Sequence, residues 1–322
     1  VRWARRRPRE NSTLRTLVRA GAALGLAAAI VTPLVRHKLR VPAAVTTVAM
    51  ASGPLALAVL WPRSKARDAA LYFQQMWGFV MAHELPYDNP AALQRRLRID
   101  YPIAVDRFLG GGKLPNARLQ GALSGRSRGL DKTLTWAHWL WFLEPHASLL
   151  WILFRHNEHF PRSARQMAAV YDLGCIAYFA VPTAPPWWAA ENGHTGGEQV
   201  ERLMIEIGEE TWGKAWPLMY GKLGTNPWAA MPSLHFASAV MAAVVLSDSG
   251  RVEGALGWGY ALTLGFALVY LGEHYVSDLL AGAALVVAVR EGEPLAEPLV
   301  LAVNRRLQAL ERIANGGGIC ED

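Results

Sequence analysis

Long apolar stretches separated by short charged turns dominate this chain and leave few folds open to it. A helix that crosses a bilayer needs about 20 mostly apolar residues, because each residue rises about 1.5 Å through about 30 Å of hydrocarbon. Segments 17–35, 41–61, 134–154, 164–181, 233–246, 254–271 and 274–289 meet or approach that requirement, and 228–231 can lengthen the short 233–246 run. A soluble helical domain would break its apolar stripes with a charge every third or fourth position, whereas 254–271 carries no charge at all. The expected fold class is therefore all-α, a polytopic membrane helical bundle of about six to seven transmembrane helices.

Composition narrows the partners. Charged residues make up 18% of the 322 positions, below the roughly 25% of an ordinary soluble domain. Disordered chains and nucleic-acid-binding tails need more charge and less apolar content, so a lipid bilayer is the expected partner and nucleic acid is not. Two cysteines, Cys175 and Cys320, cannot build a disulfide framework or a four-cysteine metal site. Nothing in the pattern indicates an oligomeric state.

The expected organisation is a basic N-terminal segment with two transmembrane helices over 1–65 and an interfacial connector over 66–132. A catalytic helical core follows over 133–292 with an outer loop at 182–232, and a cytoplasmic tail over 293–322. The first apolar run exceeds the 7–15 residues of a signal-peptide core, and Arg36 to Arg40 stand where a small-residue cleavage site belongs. A retained membrane helix is the better reading. The loop 182–232 holds Glu191, Glu198, Glu201, Glu206, Glu209 and Glu210 against Arg202, Lys214 and Lys222, while Arg155, Arg162 and Arg165 and then Arg290, Arg305, Arg306 and Arg312 mark the other side. Because lysine and arginine collect on the cytoplasmic side, the acidic loop is expected outside. The parity of the N-terminal helices stays open. Arginines 2–9 argue for a cytoplasmic start, seven simple crossings argue against it, and 72–83 is a weak additional span.

Ionisable residues within apolar helices are costly and mark functional sites by default. Met231-Pro232-Ser233-Leu234-His235 stands where the acidic loop enters a helix, and Glu273-His274-Tyr275-Val276-Ser277-Asp278 stands where the last helix begins. His274 and Asp278, four apart, share a helix face. Both helix starts lie on the same expected surface, so His235, His274 and Asp278 can meet although 39 positions separate the histidines. A histidine oriented by a carboxylate can attack phosphorus while a second protonates the departing oxygen, and two helix N-termini suit an anion. Either histidine alone reads as an interfacial residue satisfied by water; the three together read as a site. Within 134–154, His138, Glu144 and His146 form either a structural polar cluster or a headgroup contact. His156 and His159 read as surface residues of the short basic loop. No His-x3-His or Cys-x2-Cys spacing supports a metal site.

These residues resemble the type 2 phosphatidic acid phosphatase superfamily, whose motifs are Lys-x6-Arg-Pro, Pro-Ser-Gly-His and Ser-Arg-x5-His-x3-Asp. Pro232-Ser233-Leu234-His235 resembles the second, and His274-x3-Asp278 the core of the third. The first is absent, Leu234 replaces glycine, and Ala267-Leu268 stand in place of Ser-Arg. Those departures, with Ala184-Pro185-Pro186-Trp187-Trp188 and Tyr270-Leu271-Gly272-Glu273-His274-Tyr275, resemble the inositol phosphorylceramide synthase-like branch, where another histidine often occupies the Glu273 position. His138 with Pro145, and the Gly-Gly-x-Leu-Pro-x3-Leu-Gln run at 111–120, are also similar. The likeness spans about 106–282.

The resemblance implies metal-independent chemistry without a cofactor on a phospholipid or polyprenyl-phosphate-type membrane lipid. It makes His274 the nucleophile, Asp278 its orienting partner, His235 the general acid, and Ser233 part of the substrate-binding motif. Lys214 and Lys222 are candidates for the missing phosphate-holding cations, or else solvated loop charges; Arg162 and Arg165 fall on the inner side. The acceptor decides between a synthase-like phosphotransferase, slightly favoured by Pro-Ser-Leu-His and Pro-Pro-Trp, and a plain lipid phosphatase. The rival from another class is a non-catalytic transporter or scaffold. The Ala, Arg and Leu bias is in keeping with a bacterial plasma membrane.

Overall fold

A computed structural model describes residues 12–213, 216 and 226–315. They fold as helices and connecting turns, with no strand beyond isolated bridges among the described residues. Two compact units divide the chain, one made from 1–81 and 294–322 and the other from 82–293.

In the first unit, α1 (Ser12–Leu39) and α2 (Ala43–Leu60) form a hairpin. The turn between them places Arg40 at φ 53° and starts α2 after Pro42. Ser52 Oγ donates to the Gly25 carbonyl at 2.9 Å across the pair. From α3 (Lys65–Glu84), the Trp77 indole reaches the Ala29 carbonyl at 3.2 Å. The segment 72–83, a weak span by sequence, thus lies within a helix of 20 residues. Residues 293–322, expected as a tail, are helical through Ala314 as the end of the 39-residue last helix, in spite of Pro294 and Pro298. Each interior proline forfeits a backbone hydrogen bond. Side chains hold this stretch instead: Glu311 takes Arg67 at 2.9 Å, and Arg15 donates to the Ala314 carbonyl at 3.2 Å.

The second unit begins with short helices where a connector was expected: α4 (Pro90–Gln94), α5 (Asp100–Leu109) and α6 (Pro115–Leu123). Then come α7 (Arg128–Leu140), α8 (Glu144–Arg155), α9 (Phe160–Ala180), α10 (Pro186–Glu191) and α11 (Leu203–Trp212). The remaining helices are α12 (Leu234–Ser249), α13 (Arg251–Tyr270) and α14 (Val276–Ala314). The run 134–154, expected as one span, is two helices broken at Trp141–Leu143. Pro145 at the second position of α8 cannot extend a helix arriving from its N-terminal side.

α12 is the centre of this unit and packs against α13, α9 and α8. Its direction is fixed by contacts at both ends. The Ser233 amide donates to the Asp278 carbonyl at 3.0 Å, and Asp248 near the other end takes Arg290 at 2.6 Å. α12 and the first turns of α14 therefore run parallel, rising roughly 18 Å between Asp278 and Arg290. Arg162 and Gln166 at the start of α9 join the far end through Glu293, each at 2.7 Å. The near end holds both histidine-bearing helix starts.

Among the described residues, α1, α2 and α13 are long and apolar enough to cross a membrane, and α12 is a shorter apolar helix. α13 buries Ala261, Leu264 and Leu268 yet exposes Val252, Leu256 and Leu262 on its other side. A helix apolar all round belongs in lipid, and the protein is a polytopic helical membrane protein.

The crossing of α14 over the start of α12 depends on Gly282, where an added Cβ would stand 2.7 Å from the Ser233 carbonyl oxygen. Backbone cannot swing aside as a side-chain tip can. Gly282→Val is expected to destabilise the protein by about 1–3 kcal/mol, the usual cost of overpacking. The check is a lower melting temperature in detergent; an unchanged one refutes the close crossing.

Candidate active site

The helix starts expected to converge do meet. His235, on the first turn of α12, has its Nδ1 3.2 Å from His274 Nε2. His274 Nδ1 lies 3.2 Å from Asp278 Oδ2. Asp278 is fully buried and His274 nearly so. With Asp278 ionised its oxygen only accepts, which places the His274 proton on Nδ1 and turns the Nε2 lone pair towards His235. That lone pair then accepts from the Nδ1–H of His235.

Several elements hold this line of groups rigid. Asp278 Oδ2 also accepts from the Tyr275 amide at 2.9 Å. Asp106, buried on α5, accepts from the Val276 and Ser277 amides at 2.8 and 2.9 Å. The free N–H groups at the start of α14 are thus met by two carboxylates, which also suit the positive end of its dipole. Asn116 on α6 donates to the carbonyls of Val269 and His274 at 2.8 and 2.9 Å. One turn further, Gln120 donates to the Tyr270 and Glu201 carbonyls at 2.9 and 2.8 Å. Asn116 and Gln120 share a helix face by their spacing and clasp the turn that carries His274.

His235 has its own mount. Ser233 caps α12, its Oγ accepting from the Phe236 amide at 3.3 Å. Tyr178 donates to the Pro232 carbonyl at 2.9 Å. The last turn of α7 and the break after it place His138 and Trp141 against the His235 ring, with centroids 5.1 and 4.1 Å away. The Trp141 indole donates to Ser238 Oγ at 2.7 Å, which ties the break to α12.

Two of the departures, Leu234 and Glu273, have a structural counterpart. A Cβ on Gly174 of α9 would lie 2.3 Å from Leu234 Cδ2, so that glycine makes room for the leucine. Glu273 is paired with Arg202 through contacts of 2.8 and 3.1 Å, and the guanidinium lies 4.2 Å over the Trp187 ring. The Trp187 amide donates to the Gly272 carbonyl at 3.3 Å, so the Pro-Pro-Trp segment braces the His274 turn from the other side.

At the loop edge, residue 183 bridges to both 98 and 229. The Tyr101 hydroxyl lies 3.1 Å from Thr183 Oγ1 and 3.0 Å from Met231 Sδ. Burial pushes the Tyr101 phenol above its usual range, the Thr183 hydrogen bond opposes the shift, and the charge of Asp278 adds to it. The hydroxyl stays protonated at neutral pH.

Of the sequence candidates, His235, His274, Asp278 and Ser233 lie together. Lys214 and Lys222 lie outside the described residues. Arg162 and Arg165 sit at the far end, in contact with Glu293. Asp106, Asn116, Gln120, Tyr101, Trp141 and Arg202 were not singled out by sequence. Asn116 and Gln120 do fall inside the 111–120 run, and Asp106 opens the stretch of resemblance. No group of three potential metal ligands is clustered among the described residues.

A membrane-embedded helical core with two histidines and a carboxylate in line at paired helix starts defines a class of lipid-phosphate enzyme. The family model of the PAP2 superfamily matches residues 103–290, which lie inside the second unit. The chain belongs to the PAP2 superfamily, and is an enzyme of the lipid phosphatase and phosphotransferase kind. No curated protein and no solved structure is similar enough to match.

The pairing of Leu234 with Gly174 is open to a double-mutant cycle. Gly174→Ala alone is expected to cost about 1–3 kcal/mol by overpacking, and Leu234→Ala about 2–5 kcal/mol by leaving a cavity. Together they are expected to cost less than their sum, by at least about 1 kcal/mol. Strict additivity in urea or thermal unfolding in detergent would contradict the contact.

Proposed function

We propose that this protein is a lipid phosphotransferase working through a phosphohistidine on His274, with an alcohol as the preferred acceptor and water as its competitor. The observation that carries the reading is the chain of contacts from Asp278 through His274 to His235, each 3.2 Å long. Asp278 fixes the tautomer and raises the basicity of His274. His274 Nε2 attacks phosphorus, and the electron pair of the breaking P–O bond leaves with the donor's oxygen. Phosphorus takes the place of the His235 Nδ1–H at the Nε2 lone pair, and His235, as the imidazolium, gives that proton to the departing oxygen and is left neutral. In the second half, the acceptor oxygen attacks phosphorus, its proton passes to His235 Nδ1, and the P–N bond breaks with its electrons returning to His274.

Pro-Ser-Leu-His and the bracing Pro-Pro-Trp segment support the synthase-like reading and an alcohol acceptor. The far-end cluster of Arg162, Arg165 and Arg290, read by the excess of basic residues on cytoplasmic faces, supports a site facing the outer side of a bacterial plasma membrane. Ser233 acts through its cap, and Lys214 and Lys222 are proposed as cations for the phosphate.

The test is turnover of a labelled phospholipid panel by purified protein with chelator present, with and without inositol-type or ceramide-type acceptors. A new phospholipid that appears only with acceptor supports the transferase; free phosphate regardless of acceptor makes it a plain phosphatase. His274→Ala is expected to abolish either product, and His235→Ala to slow it by about 10²–10⁴-fold. Asp278→Asn, by spoiling the tautomer, is expected to cost on the order of 10³–10⁴-fold. Equal traces from wild type and His274→Ala would leave a transporter or scaffold as the better account.

A further inference from the structure

His138 is an imidazole beside the catalytic line that the proposed mechanism leaves unused. It is completely buried on the last turn of α7, and both its ring nitrogens lack any hydrogen-bond partner. Its ring lies 5.1 Å from that of His235 at an interplanar angle of 32°. That is a tilted stack and no hydrogen bond. One turn earlier on the same face, Thr135 is 1% exposed and its hydroxyl is unpartnered too. Buried polar groups are almost always satisfied, so two such side chains on one helix face, with His138 against the reacting histidine, point to a polar group that arrives with substrate.

The chemistry of the imidazole narrows what that group is. In its neutral form it offers one donor and one acceptor nitrogen. An ionised phosphate oxygen can pair with the donor nitrogen alone. A hydroxyl, which both donates and accepts, matches either nitrogen, and the Thr135 hydroxyl extends the same pattern. The break at Trp141–Leu143 matters here, because it ends α7 so that His138 and Trp141 lie against His235.

We infer that His138, with Thr135, binds the hydroxyl of the acceptor that resolves the phosphoenzyme, whether that hydroxyl belongs to an alcohol or to water. The inference rests on the proposed phosphohistidine reading. An N–H of His138 donates to the acceptor oxygen and leaves the acceptor's own O–H turned to His235. His235 Nδ1 takes the proton, the oxygen forms the bond to phosphorus, and the P–N bond to His274 returns its electron pair to Nε2. His138 neither gains nor loses a proton over the cycle.

The two half-reactions separate this role from a structural one. With labelled donor lipid in detergent, formation and decay of the acid-labile phosphoenzyme are followed in wild type, His138→Leu and His138→Gln. The probes are water alone and water with added myo-inositol or glycerol. His138→Leu is expected to form phosphoenzyme at close to the wild-type rate and to resolve it at least about tenfold more slowly, so that the intermediate accumulates. His138→Gln, which keeps a donor and an acceptor, is expected to recover most of that loss at saturating acceptor, with a raised acceptor KM. Slowing confined to the polyol arm assigns the alcohol hydroxyl, and slowing in water alone assigns water.

Formation and resolution falling in parallel, or resolution at the wild-type rate, overturns the inference. Should His138→Leu not fold, the acceptor KM of His138→Gln decides: raised with an unchanged donor KM supports the role, and unchanged overturns it. If wild type forms no phosphoenzyme, the proposed function falls and this inference with it. If wild type forms it and His138→Leu resolves it normally, only the acceptor assignment falls.

Discussion

The start of α14 is held between two buried carboxylates, Asp106 from α5 and Asp278 from its own first turn, which together accept from the amides of Tyr275, Val276 and Ser277. In an apolar surrounding, free helix-start N–H groups carry a heavy cost, so meeting them fixes where the helix begins. His274 stands just before that point, and its carbonyl is taken by Asn116. The backbone of the proposed nucleophile is thereby fixed on both sides of the residue. The parallel start of α12 is then registered to it through the Ser233 amide and the Asp278 carbonyl. Asp278 therefore serves the site three ways: its carbonyl aligns α12, and one carboxylate oxygen meets both the helix start and the His274 ring.

Two departures, Leu234 from the superfamily motif and Glu273 from the synthase-like branch, show how the same geometry survives different residues. Leu234 fills space that Gly174 vacates on α9. Glu273 brings a carboxylate beside His274, and Arg202, held over Trp187, neutralises it. An unpaired carboxylate there would repel the phosphate that the site is proposed to take. The proposed chemistry thus depends on residues outside the motifs, drawn from α5, α6, α9 and the segment 182–202.

What was legible in the sequence follows from what periodicity and spacing can carry. Apolar runs gave the membrane class because hydrophobic length is a direct physical requirement. The four-residue step from His274 to Asp278 and the Pro232-Ser233 helix start were readable because local helix geometry alone decides them. The break in 134–154 was not, since Trp141, Phe142 and Leu143 continue the apolar run and only Pro145 hints at it. The continuation of α14 to Ala314 was hidden by Pro294 and Pro298, whose cost is offset by contacts such as Arg67 with Glu311 that no local pattern announces. Asp106, Asn116 and Gln120 read as ordinary polar residues of a connector. Their role appears only when the chain returns, at least 150 positions later, to present its unpaired amides and carbonyls to them.

The central claim is that Asp278 reserves His274 Nδ1 and leaves Nε2 for phosphorus. The most direct measurement is to quench wild-type protein during turnover of labelled donor lipid, and to locate the phosphoryl group by peptide mass spectrometry and phosphorus NMR of the phosphohistidine. The account predicts phosphorylation of His274 at Nε2. A phosphoryl group on Nδ1 of His274, or on His235, would contradict it.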